Sequence, residues 1–102
     1  MAKKGALRLY VTGSTLLSMR AIENIEQLTA GELADEYDIE VIDVLERPDL
    51  AEADRVFATP ALLRLSPLPV RKLIGDLSDR AVVLSSLRLG TYPTEQQGEP
   101  RS

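Results

Sequence analysis

The chain has 102 residues, 12 Lys and Arg against 16 Asp and Glu, a net charge of −4 and a 44% hydrophobic share, which suits one domain with a single modest core. With no Cys, His or Trp, it excludes a Cys nucleophile, a disulfide frame, a Cys/His zinc site and a serine–histidine triad. Catalysis would rest on carboxylates, hydroxyls, Arg and Lys alone, so a nonenzymatic protein without cofactor or metal is expected.

Residues 6–12 alternate, with Leu7, Leu9 and Val11 on one side, and predict a strand. Gly13-Ser14-Thr15 breaks it, with Ser14 or Thr15 as helix cap. A helix follows over about 16–34, its stripe formed by Met19, Ala21, Ile22, Ile25, Leu28 and Leu33. Residues 38–44 return to strand character, which makes a βαβ unit with parallel strands. Asp49 is expected to cap a short helix through about Arg55, ended by Ala58-Thr59-Pro60.

Beyond Pro60 the local signals conflict. Ala61–Leu65 holds good helix formers, but only five residues precede Ser66-Pro67-Leu68-Pro69. Val70–Ile74 reads as a strand ended by Gly75-Asp76. Ser78 is expected to cap a run from Asp79 to Leu89, where Val83, Leu84 and Leu87 share a helical face; its end also reads as a strand through Leu87 and Leu89. Local propensity settles neither 61–65 nor 82–91. Residues 90–102 have no apolar pattern and are expected to form a disordered tail after a domain over 1–89.

The net charge conceals segregation. Residues 23–54 carry twelve acidic residues against Arg47 alone, whereas residues 55–75 carry Arg55, Arg64, Arg71 and Lys72 and no acid. Such a molecule can present a basic face to an acidic protein partner. The pI of about 4.8 and the lack of a recognisable motif argue against nucleic acid. The apolar stretch Leu7–Val11 is too short for a signal peptide, and no run approaches the roughly 20 residues of a membrane span. A soluble cytoplasmic protein with no membrane partner is expected.

The order of elements looks like a thioredoxin-like β-α-β-α-β-β-α fold, with Thr59-Pro60 where that fold carries a cis-proline before its third strand. Gly13-Ser14-Thr15-Leu16-Leu17 stands where the redox Cys pair would be, so thiol–disulfide exchange is excluded. More specifically, the chain resembles the KaiB family of circadian-clock proteins. The resemblance is carried by Leu7–Gly13, Val41–Leu45, Pro48–Glu52, Ala58–Leu62 and, most specifically, Pro69–Arg80.

The resemblance implies a noncatalytic protein that binds a KaiC-type ATPase ring and modulates its phosphorylation and ATPase cycle. A KaiA-like protein or a histidine kinase is a further partner it allows, as is a dimeric or tetrameric homo-oligomer. It also implies a metamorphic carboxy-terminal half with two alternative packings. Where cyanobacterial members carry Gly, Asp and Tyr in the last segment, this chain has Ser86, Arg88 and Thr91. Ser favours helix over Gly, and Arg suits a helix C-terminus better than Asp, so these fold-switch positions favour the thioredoxin-like arrangement. They also point to a timing or stress-response role outside the best-known clock lineage.

Tyr10, Arg20, Arg64, Arg71 and Lys72 match family positions and are the expected partner-binding residues, with Thr59 and Pro60 structural. For Tyr10 plain packing is an equal reading, and for single cations solvated surface is. Asp76 and Ser78 read as turn and cap residues, although glutathione-binding relatives use an acidic–Ser pair in this region. A glutathione-dependent enzyme using Ser14 or Tyr10, and a free sensor-type module for a histidine kinase, are the competing functions.

Overall fold

A computed structural model describes residues 5–88. It contains β1 (Gly5–Val11), α1 (Leu16–Ala30), β2 (Tyr37–Asp43), α2 (Pro48–Ala53), β3 (Ala61–Ser66), β4 (Arg71–Ile74) and α3 (Arg80–Arg88). This is the expected β-α-β-α-β-β-α order. The sheet runs β2-β1-β3-β4. β1 and β2 are parallel, with Leu9 opposite Val41, while β3 is antiparallel to both β1 and β4.

Alternation along β1 divides the interior into two layers. Leu7, Leu9 and Val11 join Ala21, Ile25, Leu28, Leu62, Val83 and Leu87 in the larger core, between the sheet and α1 with α3. Tyr10 faces the other side and joins Ile42, Ala51, Ala61 and Leu63 beneath α2. Leu62 and Leu63 thus serve opposite faces of β3.

Thr15, one of the two expected residues, caps α1, its hydroxyl accepting from the Ser18 amide at 3.3 Å. Other boundaries differ from expectation. The helix expected over 16–34 ends at Ala30, where the Gly31 amide donates to Gln27 O at 3.0 Å and the Leu33 amide to Leu28 O at 2.8 Å. That reversal returns Leu33 to the core, while Met19, placed on the apolar stripe by spacing, is 56% exposed. Asp49 is not a cap; Pro48 occupies the first turn of α2, Asp49 pairs with Arg47, and the helix closes at Ala53. Asp79, not Ser78, caps α3, accepting from the Val82 amide at 3.2 Å.

The two ambiguous stretches resolve by packing. Ala61–Ser66 is a strand because β1 and β4 flank it, and Ala61 to Leu63 are buried there. Residues 80–88 are helical because Val83 and Leu87, one turn apart, reach the same core. The Thr59–Pro60 bond is cis, as expected, and so are Ser66–Pro67 and Leu68–Pro69. Leu89, Thr91 and the tail expected over 90–102 lie outside the described residues. No helix among the described residues is long and apolar enough to cross a membrane.

Candidate protein-interaction site

The loop from β1 to α1 is built from hydroxyls and backbone. Thr12 Oγ1 and Thr59 Oγ1 lie 2.5 Å apart, which ties the loop to the cis-proline. Ser18 Oγ accepts from the Thr12 amide at 3.0 Å and from the Thr15 hydroxyl at 2.8 Å. Asp43 Oδ1 accepts from the amides of Gly13 (3.1 Å) and Leu45 (2.9 Å). Gly13 has φ +53°, a conformation that favours glycine. Ser14 is exposed. The loop fixes the start of α1, and nothing in it replaces a thiol.

Tyr10 is fully buried rather than part of a binding face. Its hydroxyl donates to Asp54 Oδ2 at 2.5 Å and lies 3.0 Å from Leu50 O. Arg8, on the same side of β1, donates to Asp54 Oδ2 at 3.0 Å and to Glu40 Oε1 at 3.1 Å. Burial first, then the bond to Asp54, pushes the Tyr10 phenol up. Burial works to lower the Arg8 guanidinium, but its bonds to Tyr10, Asp54 and Glu40 outweigh that and raise it. This cluster pins the end of α2 to the middle of the sheet. Sequence reasoning missed Arg8 and Asp54; the position of Arg8 two residues before Tyr10, on one side of a strand, was the available signal.

Arg64, expected among the partner-binding residues, also lies inside. It is 0% exposed, with Nη1 donating to Leu87 O at 2.5 Å and Nη2 to Pro69 O at 2.7 Å. Its period-two position puts it on the same face as Leu62, beneath α3, so the guanidinium is used inside the protein. A cation in the sequence carries no mark of which sheet face is covered. Tyr37 joins it: its hydroxyl donates to the same Leu87 carbonyl at 3.3 Å.

The remaining basic positions gather around the free edge of the sheet. Among the described residues no strand pairs with the outer side of β4. The Gly75 amide donates inward to Pro60 O at 2.9 Å. By antiparallel alternation the backbones of Leu73 and Arg71 also face β3, and those of Lys72 and Ile74 face outward. Lys72 is exposed, and its ammonium donates to the carbonyls of Arg55 (2.6 Å) and Asp54 (3.3 Å), where the dipole of α2 favours a cation. Arg71 is half-buried on the opposite sheet face.

Apolar side chains accompany these cations: Leu68, Val70 and Ile74 are 73%, 52% and 56% exposed. Arg20 is exposed on α1, toward the loop after β4. Its neighbour Asn24 donates to Asp76 O at 2.7 Å. The Asp76 carboxyl is held below its ordinary range by the hydroxyl and amide of Ser78, with a smaller contribution from Arg20. Arg20, Arg71 and Lys72 therefore flank one edge, whereas Tyr10 and Arg64 lie inside. Ser86 is half-buried in α3, and Arg88 in its last turn stands 4.0 Å from Glu36. Among the described residues no group of three or more His, Cys, Asp or Glu gathers as a metal site.

Comparison with known proteins agrees with this architecture. Residues 8–89 match the model of the KaiB domain. A circadian clock oscillator protein KaiB from Prochlorococcus marinus is 51% identical over 83 residues, covering 81% of this chain and 70% of the relative. The protein of that name from Trichodesmium erythraeum is 47% identical over 89 residues, covering 87% of this chain and 86% of its own. Among solved structures, the N-terminal domain of Synechococcus elongatus SasA superposes with a TM-score of 0.70 at 28% identity, over 94% of this chain and 92% of that one. Yeast mitochondrial thioredoxin 3 superposes with a TM-score of 0.69 at 17% identity, over 85% and 80%, which shows the thioredoxin-like fold alone. With a family model spanning most of its length and relatives near half identical, this chain belongs to the KaiB family.

Proposed function

We propose that this chain is a noncatalytic timing protein that docks on a KaiC-type ATPase ring and modulates the ring's phosphorylation and ATPase cycle. The observation that carries the reading is the open β4 edge, where exposed Val70 and Ile74 flank Lys72 on one sheet face and Arg71 stands on the other. Exposed apolar side chains beside cations suit docking on an acidic protein surface, since the apolar area supplies affinity and the charges supply steering. The names of the relatives support a clock role, and the resemblance supports the ring as partner.

The carboxy-terminal half is proposed to rest in the helical, thioredoxin-like packing. Ser86 and Arg88 both favour it, and Arg88 stands in the last turn of α3, where a cation meets the negative end of the helix dipole. Arg20, Arg71 and Lys72 are the proposed contacts, without Tyr10 and Arg64. A glutathione-dependent role is disfavoured, because the Tyr10 hydroxyl is buried and already donating to Asp54.

The test is mass photometry of the chain mixed with a purified KaiC-type ring and nucleotide. Added mass on the ring, lost on Lys72→Glu, is expected; an unchanged ring at saturating chain overturns the reading. A second reading, a free sensor-type module for a histidine kinase, is favoured by the fit to the SasA N-terminal domain. It predicts capture of a kinase and none of the ring.

A further inference from the structure

Arg64 is fully buried in β3, on the face it shares with Leu62. Its two terminal nitrogens bond two separate parts of the carboxy-terminal half. Nη1 donates to Leu87 O at 2.5 Å, and Nη2 to Pro69 O at 2.7 Å in the connection from β3 to β4. Leu87 belongs to the last turn of α3, whose carbonyls lack acceptance from within the helix and carry the negative end of its dipole. The Tyr37 hydroxyl donates to the same carbonyl from β2 at 3.3 Å.

The apolar attachment of α3 is small: of its nine residues Val83 and Leu87 are buried, and Leu84 packs partly buried against the same core. The ion pairs Arg80–Glu32 and Arg88–Glu36 also tie it to the turn after α1, at the surface, where such pairs contribute little.

We infer that Arg64 is a latch, whose buried guanidinium holds the last turn of α3 on the sheet so that α3 detaches as a unit when this contact is lost. A guanidinium withdrawn from water is costly unless its donors find acceptors, and two of the acceptors here are carbonyls of α3 and of the Pro69 connection. Removing α3 returns the guanidinium toward water, so its hydration favours release, whereas its bonds favour docking. Those opposing terms concentrate the docking equilibrium on one side chain and permit local opening well below global unfolding. Lys in its place carries a single ammonium without the planar fork, and so holds one carbonyl less well than Arg holds two. The inference does not depend on the identity of the partner.

Amide hydrogen exchange of the full chain tests it, comparing Leu84 and Leu87 in α3 with Leu9 and Ile25 in the β1–α1 core. In Arg64→Met the α3 amides should exchange at least about tenfold faster while the core amides stay within about twofold. Arg64→Lys should fall between Met and the parent, and Tyr37→Phe should accelerate the same α3 amides by less. Equal acceleration of both sets, or unchanged exchange in α3, overturns the latch. Should Arg64→Met fail to fold, Arg64→Lys decides by the same comparison: selective acceleration in α3 supports the latch, and uniform acceleration overturns it.

Discussion

Asp54 Oδ2 receives the Tyr10 hydroxyl at 2.5 Å and is also 3.0 Å from Arg8 Nη1, so one carboxylate oxygen joins the end of α2 to two residues of β1. A six-residue helix does not hold its shape alone, and α2 depends on this tie and on the packing of Ala51. The carbonyls of Asp54 and Arg55, on which Lys72 rests, inherit their position from it. An interior cluster thereby shapes the basic edge without belonging to it.

Tyr10→Phe should lower stability by about 1–3 kcal/mol, because a charge-assisted bond is lost and Asp54 keeps a partly buried oxygen with one donor fewer. Urea denaturation measures it. Affinity for the ring should change by no more than about twofold in the folded variant, since the ring of Tyr10 is covered.

Gly5→Ala should also destabilise, by about 1–3 kcal/mol, since an added Cβ would overlap the Ser66 carbonyl oxygen and stand 2.7 Å from Tyr37 Cε1. The clash involves backbone of β3 and an aromatic ring of β2, so neither neighbour yields cheaply. Thermal unfolding monitored by circular dichroism checks this, and an unchanged midpoint would count against the packing at this end of the sheet.

Acid should loosen the tie between α3 and the turn after α1. Glu32, paired with Arg80 at 2.6 Å, has its carboxyl pulled from an ordinary 4.5 down to about 2, chiefly by its bond to Arg80. A depressed folded value means the contribution is complete above about 4.5 and is lost as pH falls through about 2. NMR titration of the Glu32 side chain should show the low value, and Glu32→Gln should remove that part of the acid dependence. A Glu32 midpoint at its ordinary value would contradict the pairing.

Lys72→Glu should weaken ring binding at least about tenfold and reduce its salt dependence, since screening acts on charges exposed at an interface. Arg64→Lys, in contrast, should leave the salt dependence unchanged while altering exchange in α3. Affinity measured across a salt series separates the two residues, although both are cations of one acid-free stretch.

The element order was legible because it rests on periodicity: Leu7, Leu9 and Val11 alternate, and Ala21, Ile25 and Leu28 recur at helical spacing. Ala61–Leu65 was not, because its Leu-rich composition suits a helix and only pairing with β1 and β4 makes it a strand. Met19 misled for a related reason. It lies at a spacing compatible with the buried stripe, but in the first turns of α1 Ser18 and Ala21 face inward, and Leu16, Leu17 and Met19 are all at least half exposed.

The site divides along the same line. Residue type located the cations and Tyr10, and a resemblance placed them in a family pattern. Whether a strand residue points to solvent depends on which helix covers its face. Arg64 lies under α3 and Lys72 beside the end of α2, a difference of sheet face and cover that eight residues of sequence do not express.

The most direct measurement is hydrogen exchange of this chain alone and bound to a KaiC-type ATPase ring. Docking at the free sheet edge should slow exchange at the outward-facing amides of Lys72 and Ile74 and around Arg20, and leave the outward-facing amides of the β2 edge, Ile39 and Val41, unchanged. Exchange unaltered by saturating ring, or slowed at the β2 edge and not at β4, would contradict the assignment.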